Sequence, residues 1–263
     1  MLRRTLLALT LALSVAAAGC GKDKDEAAAP IKVAAAADLA VAFEEVGKEF
    51  EKKTGKKVTF SFGSTGLMSK QILEGAPFDV FAAANVSFVD EVVGAGQCDR
   101  STQELYARGR VVVWSKKGAP APKDLADLAD PRFKKIAIAN PEHAPYGRAA
   151  KEAMSAAKVW ETLDREKRLV FGENVQQTLQ FAQTGNADVA IVALSLATTS
   201  DGEWKLIDES LHKPLDQAIV VCGDGVRAER AKEFTSFVNS PEGREIMTKY
   251  GFLLPGEKTA ASE

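Results

Sequence analysis

Four short stretches join an apolar run to the start of a predicted helix through residues that could hold a small anion. They are AAAADLA around Asp38, FGSTGL around Ser64 and Thr65, APYGRAA around Tyr146, and ENVQQTL around Val175. The first N–H groups of a helix have no partner within the helix and lie at the positive end of its dipole. One such junction alone serves only its own helix. Four together predict an anion site made of N–H and hydroxyl groups, without lysine or arginine.

A secreted hydrolase is the alternative from another functional class. Ser64 or Thr65 would then be the nucleophile, and its base would be His143 or His212, since the chain has two histidines. GSTG matches neither the G-x-S-x-G nucleophile elbow nor a phosphate-binding P-loop. His212 is expected in a surface loop, and no cluster of residues has the spacing of zinc ligands. The sequence therefore favours a binding protein over an enzyme.

The first residues have the features of an export signal. Residues 1–20 begin with Arg3 and Arg4, continue as a run of apolar and small residues, and end in Gly-Cys. This ending resembles a bacterial lipobox, which predicts that Cys20 carries a lipid and that the polar residues 21–30 form a tether. An ordinary secretory signal is the alternative. We expect an extracytoplasmic protein, in the periplasm or at the cell surface, anchored to a membrane by lipid.

Charge and cysteines agree with export. Removal of residues 1–20 takes away two arginines and no acids, so the formal net charge goes from −2 to −4. This balance does not favour nucleic-acid binding. With Cys20 lipidated, Cys98 and Cys222 remain, and they could pair in an oxidising compartment. Two buried free thiols are the alternative.

Apolar runs alternate with helical patterns along the rest of the chain. A helical stripe, for example, recurs at Leu39, Phe43, Val46 and Phe50, and Gly55 stops it. Alternating strands and helices predict an α/β fold with parallel sheets covered on both faces.

The late helices need a sheet to cover, and the first half of the chain offers one. We therefore expect two lobes with a cleft between them. The first lobe contains residues 31–109 and 222–258, and the second contains residues 110–221. The chain would leave the first lobe near Arg110 and return near Gln217.

The sequence resembles the molybdate-binding proteins that serve bacterial ABC importers. The specific segments are QILEGAP-D-F and NPEHAPYG-AA, and weaker likeness covers nearly all of the mature chain. The resemblance implies a two-lobed type II periplasmic-binding fold that closes around a tetrahedral dianion. It implies no cofactor: the ligand would be molybdate or tungstate, whose metal is held as an oxyanion, and the partner would be an ABC permease in the inner membrane.

The resemblance also assigns roles to residues. Thr65 takes the position of a serine hydroxyl donor, and Ser64 would be an additional donor. Tyr146 would donate from its backbone or its ring hydroxyl, and Val175 from its backbone N–H. Ala193 stands where some members have a tyrosine that reaches the anion, so that contact would be absent or supplied otherwise.

Asp38 departs from the family, many of whose members have serine or threonine there. A carboxylate facing a dianion would be repelled by several kcal/mol in a poorly solvated cleft, and by about 1 kcal/mol in water. The side chain could turn back as a helix N-cap, or be protonated, or the ligand could differ. We expect the cap, because aspartate is a preferred N-cap residue and DLAVAFEEV begins a helix.

The function predicted from the sequence is capture of molybdate, and also of tungstate, by a monomer that delivers it to the permease. Sulfate, thiosulfate or phosphate is the alternative ligand, and phosphate is the one to test because an inward-facing Asp38 could accept its proton. A sensor module without a transport partner is a third possibility.

Overall fold

The structure, a computed structural model, describes residues 29–257 and contains two five-stranded sheets. The strand order of the first sheet is β2-β1-β3-β10-β4. Its strands are β1 (Ile31–Ala36), β2 (Val58–Gly63), β3 (Val80–Ala83), β4 (Glu104–Gly109) and β10 (Leu215–Val221). The order of the second sheet is β7-β6-β8-β5-β9. Its strands are β5 (Val111–Lys116), β6 (Ile136–Ala139), β7 (Leu169–Gly172), β8 (Val189–Ala193) and β9 (Gly202–Leu206).

Helices cover both sheets. The first lobe contains α1 (Ala40–Thr54), α2 (Thr65–Leu73), α3 (Val86–Gly94), α8 (Gly225–Val238) and α9 (Pro241–Lys249). The second lobe contains α4 (Pro145–Ala156), α5 (Trp160–Arg165), α6 (Val175–Gln183) and α7 (Leu194–Ala197). The predicted stripe is buried at all four positions: Phe43, Val46 and Phe50 lie in α1, and Leu39 directly precedes it. Gly55 ends the helix in a left-handed conformation.

Strand β10 joins the first sheet, which differs from the lobe boundary expected from the sequence. Residues 110–221 are expected from the sequence to form the second lobe, whereas β10 pairs antiparallel with β3 and β4. Residues 215–221 therefore lie in the first lobe. Both sheets are mixed rather than parallel, because β5 also runs antiparallel to β8 and β9. An apolar run predicts a strand, but it does not predict which sheet the strand enters.

The chain passes between the lobes at two places. Arg110 alone separates β4 from β5, and the return lies between β9 and β10. Residues 1–28, with the predicted signal, Cys20 and most of the tether, lie outside the described residues, as do residues 258–263. Within residues 29–257, no helix is both long enough and apolar enough to cross a membrane.

Cys98 and Cys222 form a disulfide that joins the end of α3 to the end of β10. The bond closes a loop with a sequence separation of 124 residues. Cross-links over long loops stabilise a protein mainly by restricting the unfolded chain. We expect reduction to lower the free energy of unfolding by about 2–4 kcal/mol and the midpoint of thermal unfolding by roughly 4–15 °C.

Thermal unfolding with and without reductant measures this effect. The control is the C98S/C222S variant, whose midpoint should be low and insensitive to reductant. An unchanged midpoint in wild-type protein with both thiols reduced contradicts the prediction.

Candidate functional site: a cleft where helix N-termini meet

A small cavity lies between the two lobes, at the ends of β1, β2 and β3 and at the starts of α2, α4 and α6. Five residues singled out from the sequence line it together: Asp38, Ser64, Thr65, Tyr146 and Val175. Asn174, Pro145 and alanines complete much of the lining, and no lysine or arginine is part of it. The structure therefore brings the four predicted junctions to one place.

Thr65 is the first residue of α2 and is almost fully buried. Its Oγ1 accepts a hydrogen bond from the backbone N–H of Ala84 at 3.2 Å. The Thr65 hydroxyl proton therefore stays available for an anion. No side chain caps this end of α2, and the N–H of Thr65 has no acceptor within the helix. Thr65 thus offers two donors.

The N-terminus of α6 presents the N–H of Val175. The Asn174 side chain caps this helix and accepts hydrogen bonds from the N–H groups of Gln176 and Gln177, both at 3.0 Å. Val175 is the first residue of the helix, so its N–H has no intrahelical partner. The cap therefore leaves the Val175 N–H, which borders the cavity, for a ligand.

The ring hydroxyl and the backbone N–H of Tyr146 have different roles. Pro145 occupies the first position of α4, and no side chain caps this end. The Tyr146 hydroxyl donates to Oδ2 of Asp38 at 3.0 Å across the cleft. Its proton is therefore already used. The Tyr146 backbone N–H, in the first turn of α4, is the donor left for the cavity.

Ser64 connects the lobes instead of offering a free donor. Its Oγ donates to the backbone carbonyl of His143 at 2.7 Å and lies 2.8 Å from His143 Nδ1. The backbone N–H of Gly66 also donates to the His143 carbonyl, at 2.9 Å. Because the single hydroxyl proton of Ser64 is already used, its predicted role as an additional anion donor does not fit this arrangement. Ser64 and Gly66 belong to the first lobe and His143 to the second, so these contacts link the two lobes across the cleft.

Asp38 does not form the helix cap that the sequence suggests. It lies in a short 3-10 helix, Ala37–Leu39, and neither this turn nor α1 has a side-chain cap. Its Oδ2 instead accepts from Gln217 Nε2 at 2.6 Å and from the Tyr146 hydroxyl. The cap interpretation is wrong because β10 brings the Gln217 amide, a strong partner, beside the carboxyl group. Burial raises the pKa of Asp38 to about 6, although the hydrogen bonds from Gln217 and Tyr146, and the backbone N–H of Asp38 itself, act in the opposite direction.

Sequence patterns do not identify three residues of this network as functional: Gln217, Tyr106 and Ser195. Gln217 is fully buried, and its Oε1 accepts from the Tyr106 hydroxyl at 2.7 Å. The Ser195 hydroxyl, from the second lobe, donates to the Asp38 backbone carbonyl at 2.7 Å. One signal for Gln217 was available in the sequence. It is a polar residue inside an apolar strand, and a buried amide requires hydrogen-bond partners.

The remaining candidates lie elsewhere. His212 is largely buried, not in the surface position expected, and its Nδ1 contacts the carbonyl of Lys213. Neither His212 nor Ala193 lines the cavity. Among the described residues, no group of three or more histidine, cysteine, aspartate or glutamate side chains could hold a metal ion.

Comparisons with known proteins agree with this architecture. Residues 31–253 match the family described as bacterial extracellular solute-binding proteins. Molybdate-binding protein ModA of Rhodobacter capsulatus is 37% identical over 84% of this chain and 86% of the relative. The solved periplasmic molybdate-binding protein of Azotobacter vinelandii superposes with a TM-score of 0.80 and 29% identity, over 86% of this chain and 99% of that chain.

A second solved structure shares the fold at a greater distance. The sulfate-binding protein SubI of Mycobacterium tuberculosis has a TM-score of 0.75 at 15% identity, and covers 86% of this chain and 87% of its own. With its two α/β lobes and the cleft between them, a type II periplasmic-binding fold, the chain belongs to the bacterial extracellular solute-binding proteins.

Proposed function

We propose that this protein binds molybdate, and also tungstate, in the cleft and delivers it to an ABC permease. The observation that carries the proposal is the meeting of three helix N-termini, from both lobes, at one small cavity whose lining residues are almost all buried. Their donors are the Thr65 hydroxyl and the N–H groups of Thr65, Tyr146 and Val175. The names of relatives at 37% and 34% identity support molybdate as the ligand.

Neutral donors suit this task. Each N–H at a helix start contributes part of the dipole charge, so a dianion is stabilised without a buried lysine or arginine. Closure removes water, which strengthens these hydrogen bonds. The contacts of Ser64 and Ser195 across the cleft favour the closed form that the permease would recognise.

Calorimetric titration of the purified protein with molybdate, tungstate, sulfate and phosphate tests this proposal. We expect molybdate and tungstate to bind tightly, and sulfate and phosphate to give no measurable heat of binding, because the smaller anions cannot reach all donors at once. Binding of sulfate or phosphate with none of molybdate would contradict the proposal and support the alternative ligands.

The hydrolase alternative has one specific observation in its favour, the approach of Ser64 to His143. The Ser64 proton, however, is directed to the His143 backbone carbonyl, which is not a base. Among the residues that the structure describes, no carboxylate forms a hydrogen bond with the His143 ring. These features favour a structural contact, and we propose that the protein is not an enzyme.

The H143A variant separates the two functions. It removes one hydrogen bond across the cleft but keeps the carbonyl that accepts from Ser64, so molybdate affinity should fall by less than about tenfold. Titration of wild type and H143A measures the change. An esterase or phosphatase activity of the wild type that disappears in H143A would contradict a pure binding role.

We also propose a periplasmic or cell-surface location with a lipid on Cys20, and a monomeric state. The family and the features of residues 1–20 support export. Mass spectrometry of the protein from its native membrane tests the lipid: diacylglyceryl mass on an N-terminal Cys20 is expected, and an unmodified mature protein would contradict the anchor.

A further inference from the structure

We propose that the closed cleft takes up one proton with each oxyanion, and that this proton lies on Asp38, between its Oδ1 and an oxygen of the bound anion. This inference rests on the proposed function, because it requires a dianion in the cavity. It assigns to Asp38 a role in ligand binding that serine or threonine could not have, since neither side chain takes up a proton.

The hydrogen bonds of Asp38 leave one oxygen for the ligand. Oδ2 accepts from Gln217 and from Tyr146, whereas Oδ1 is buried and has no hydrogen-bond partner among the described residues. An orphaned buried carboxylate oxygen is costly. Asp38 lines the cavity, so an anion there lies beside this group. A proton on Oδ1 turns the orphaned acceptor into a donor to the anion.

Among the residues that the structure describes, no cation compensates the charge of the Asp38 carboxylate. The titratable groups that interact with it are the phenols of Tyr146 and Tyr106, and burial together with the Asp38 charge raises the pKa of both, so they stay neutral. The 3-10 turn also contacts β2, α6 and α7, which contain no charged residue, and α1, whose charged residues lie off its buried face. No cation is among the groups that shift the Asp38 pKa.

Opening and closing the cleft change the protonation of Asp38. In the open form water reaches the carboxyl group, so its pKa returns toward the ordinary value of about 3.9. In the closed form burial raises the pKa to about 6 before any anion is present. A dianion in contact with Oδ1 raises the pKa further, because it disfavours the carboxylate. Between these two pKa values the open protein is therefore ionised and the complex is protonated.

The pH dependence of binding follows from this difference. A group whose pKa is raised in the complex favours binding at low pH, and the advantage is lost as pH rises toward the pKa of the complex. Between the two pKa values, uptake of one proton makes the association constant fall about tenfold for each pH unit.

Calorimetry with molybdate in two buffers of different ionisation enthalpy measures proton uptake directly. At about pH 5, wild type should take up close to one proton per anion, and its affinity should fall nearly tenfold between about pH 4.5 and 5.5. D38N and D38S keep a polar side chain that does not titrate, and should bind with no uptake and with affinity independent of pH. At higher pH, D38S should bind at least as tightly as wild type.

Other results would overturn the inference. Wild-type binding without proton uptake means that Asp38 stays ionised in the complex. Uptake that persists in D38N and D38S means that another group takes the proton. If D38N does not fold, D38S alone decides. If the protein binds molybdate but proton uptake is absent or persists in the variants, the proposed function remains intact. If neither wild type nor the two variants bind molybdate, both proposals are overturned.

Discussion

Replacing Thr65 with valine should weaken molybdate binding by about 10- to 100-fold. Valine has nearly the same shape but removes the hydroxyl, and a hydrogen bond to a charged group contributes about 1.5–3 kcal/mol. The variant also leaves the buried N–H of Ala84 without its acceptor, which should lower the free energy of unfolding by about 1–3 kcal/mol. Titration calorimetry and thermal unfolding measure the two effects separately.

The control for this prediction is T65S. Serine keeps the hydroxyl, so both the acceptor for Ala84 and the donor for the anion remain, and affinity should stay within a fewfold of wild type. Equal affinity of wild type, T65S and T65V would show that the Thr65 hydroxyl does not contact the anion.

Replacing Gly147 with alanine should lower both molybdate affinity and stability, with a larger total effect than that of T65V. A Cβ at Gly147 would lie 2.1 Å from the backbone carbonyl oxygen of Ala139, the last residue of β6. Backbone must move to relieve this overlap, so the start of α4 shifts away from the sheet. The Tyr146 N–H then leaves the anion and its hydroxyl leaves Asp38. We expect about a 100-fold loss of affinity and a loss of about 1–3 kcal/mol in stability.

The matched control is G94A, another glycine-to-alanine change in a helix. Nothing lies within 4 Å of a Cβ at Gly94 in α3, and the residue is exposed. This variant should bind molybdate like wild type and be unchanged or slightly more stable, because alanine restricts the unfolded chain. If G147A matches G94A in affinity and stability, the close approach of α4 to β6 does not position the site.

The junction residues could be predicted from the sequence because their signals are local. Asn174 precedes a helical pattern and is a preferred cap, so Val175 is expected as the first helical residue, and the structure has it there. The stripe from Leu39 to Phe50 predicts a buried helix face for the same reason. The rule that ligands bind at the carboxyl ends of strands made the four junctions candidates for one site, but only the structure shows that they converge.

The orientation of Asp38 and Ser64 could not be predicted from local signals. Asp38 turns toward Gln217, which is 179 residues away in the chain, and Ser64 toward His143, which is 79 residues away. Cap preference predicted a local role for Asp38, but tertiary contacts decided its orientation. The strand that carries Gln217, β10, pairs in the sheet of the first lobe, although the sequence placed it in the second. The spacing of apolar residues does not indicate which sheet a strand joins.

Anomalous X-ray diffraction from crystals grown with molybdate locates the metal atom of the oxyanion and therefore shows whether the cleft is the binding site. We expect one strong peak between the lobes, with anion oxygens within hydrogen-bond distance of Thr65 Oγ1 and of the N–H groups of Thr65, Tyr146 and Val175. A peak outside this cleft, or an anion in the cleft held by charged side chains instead of these donors, would contradict this expectation.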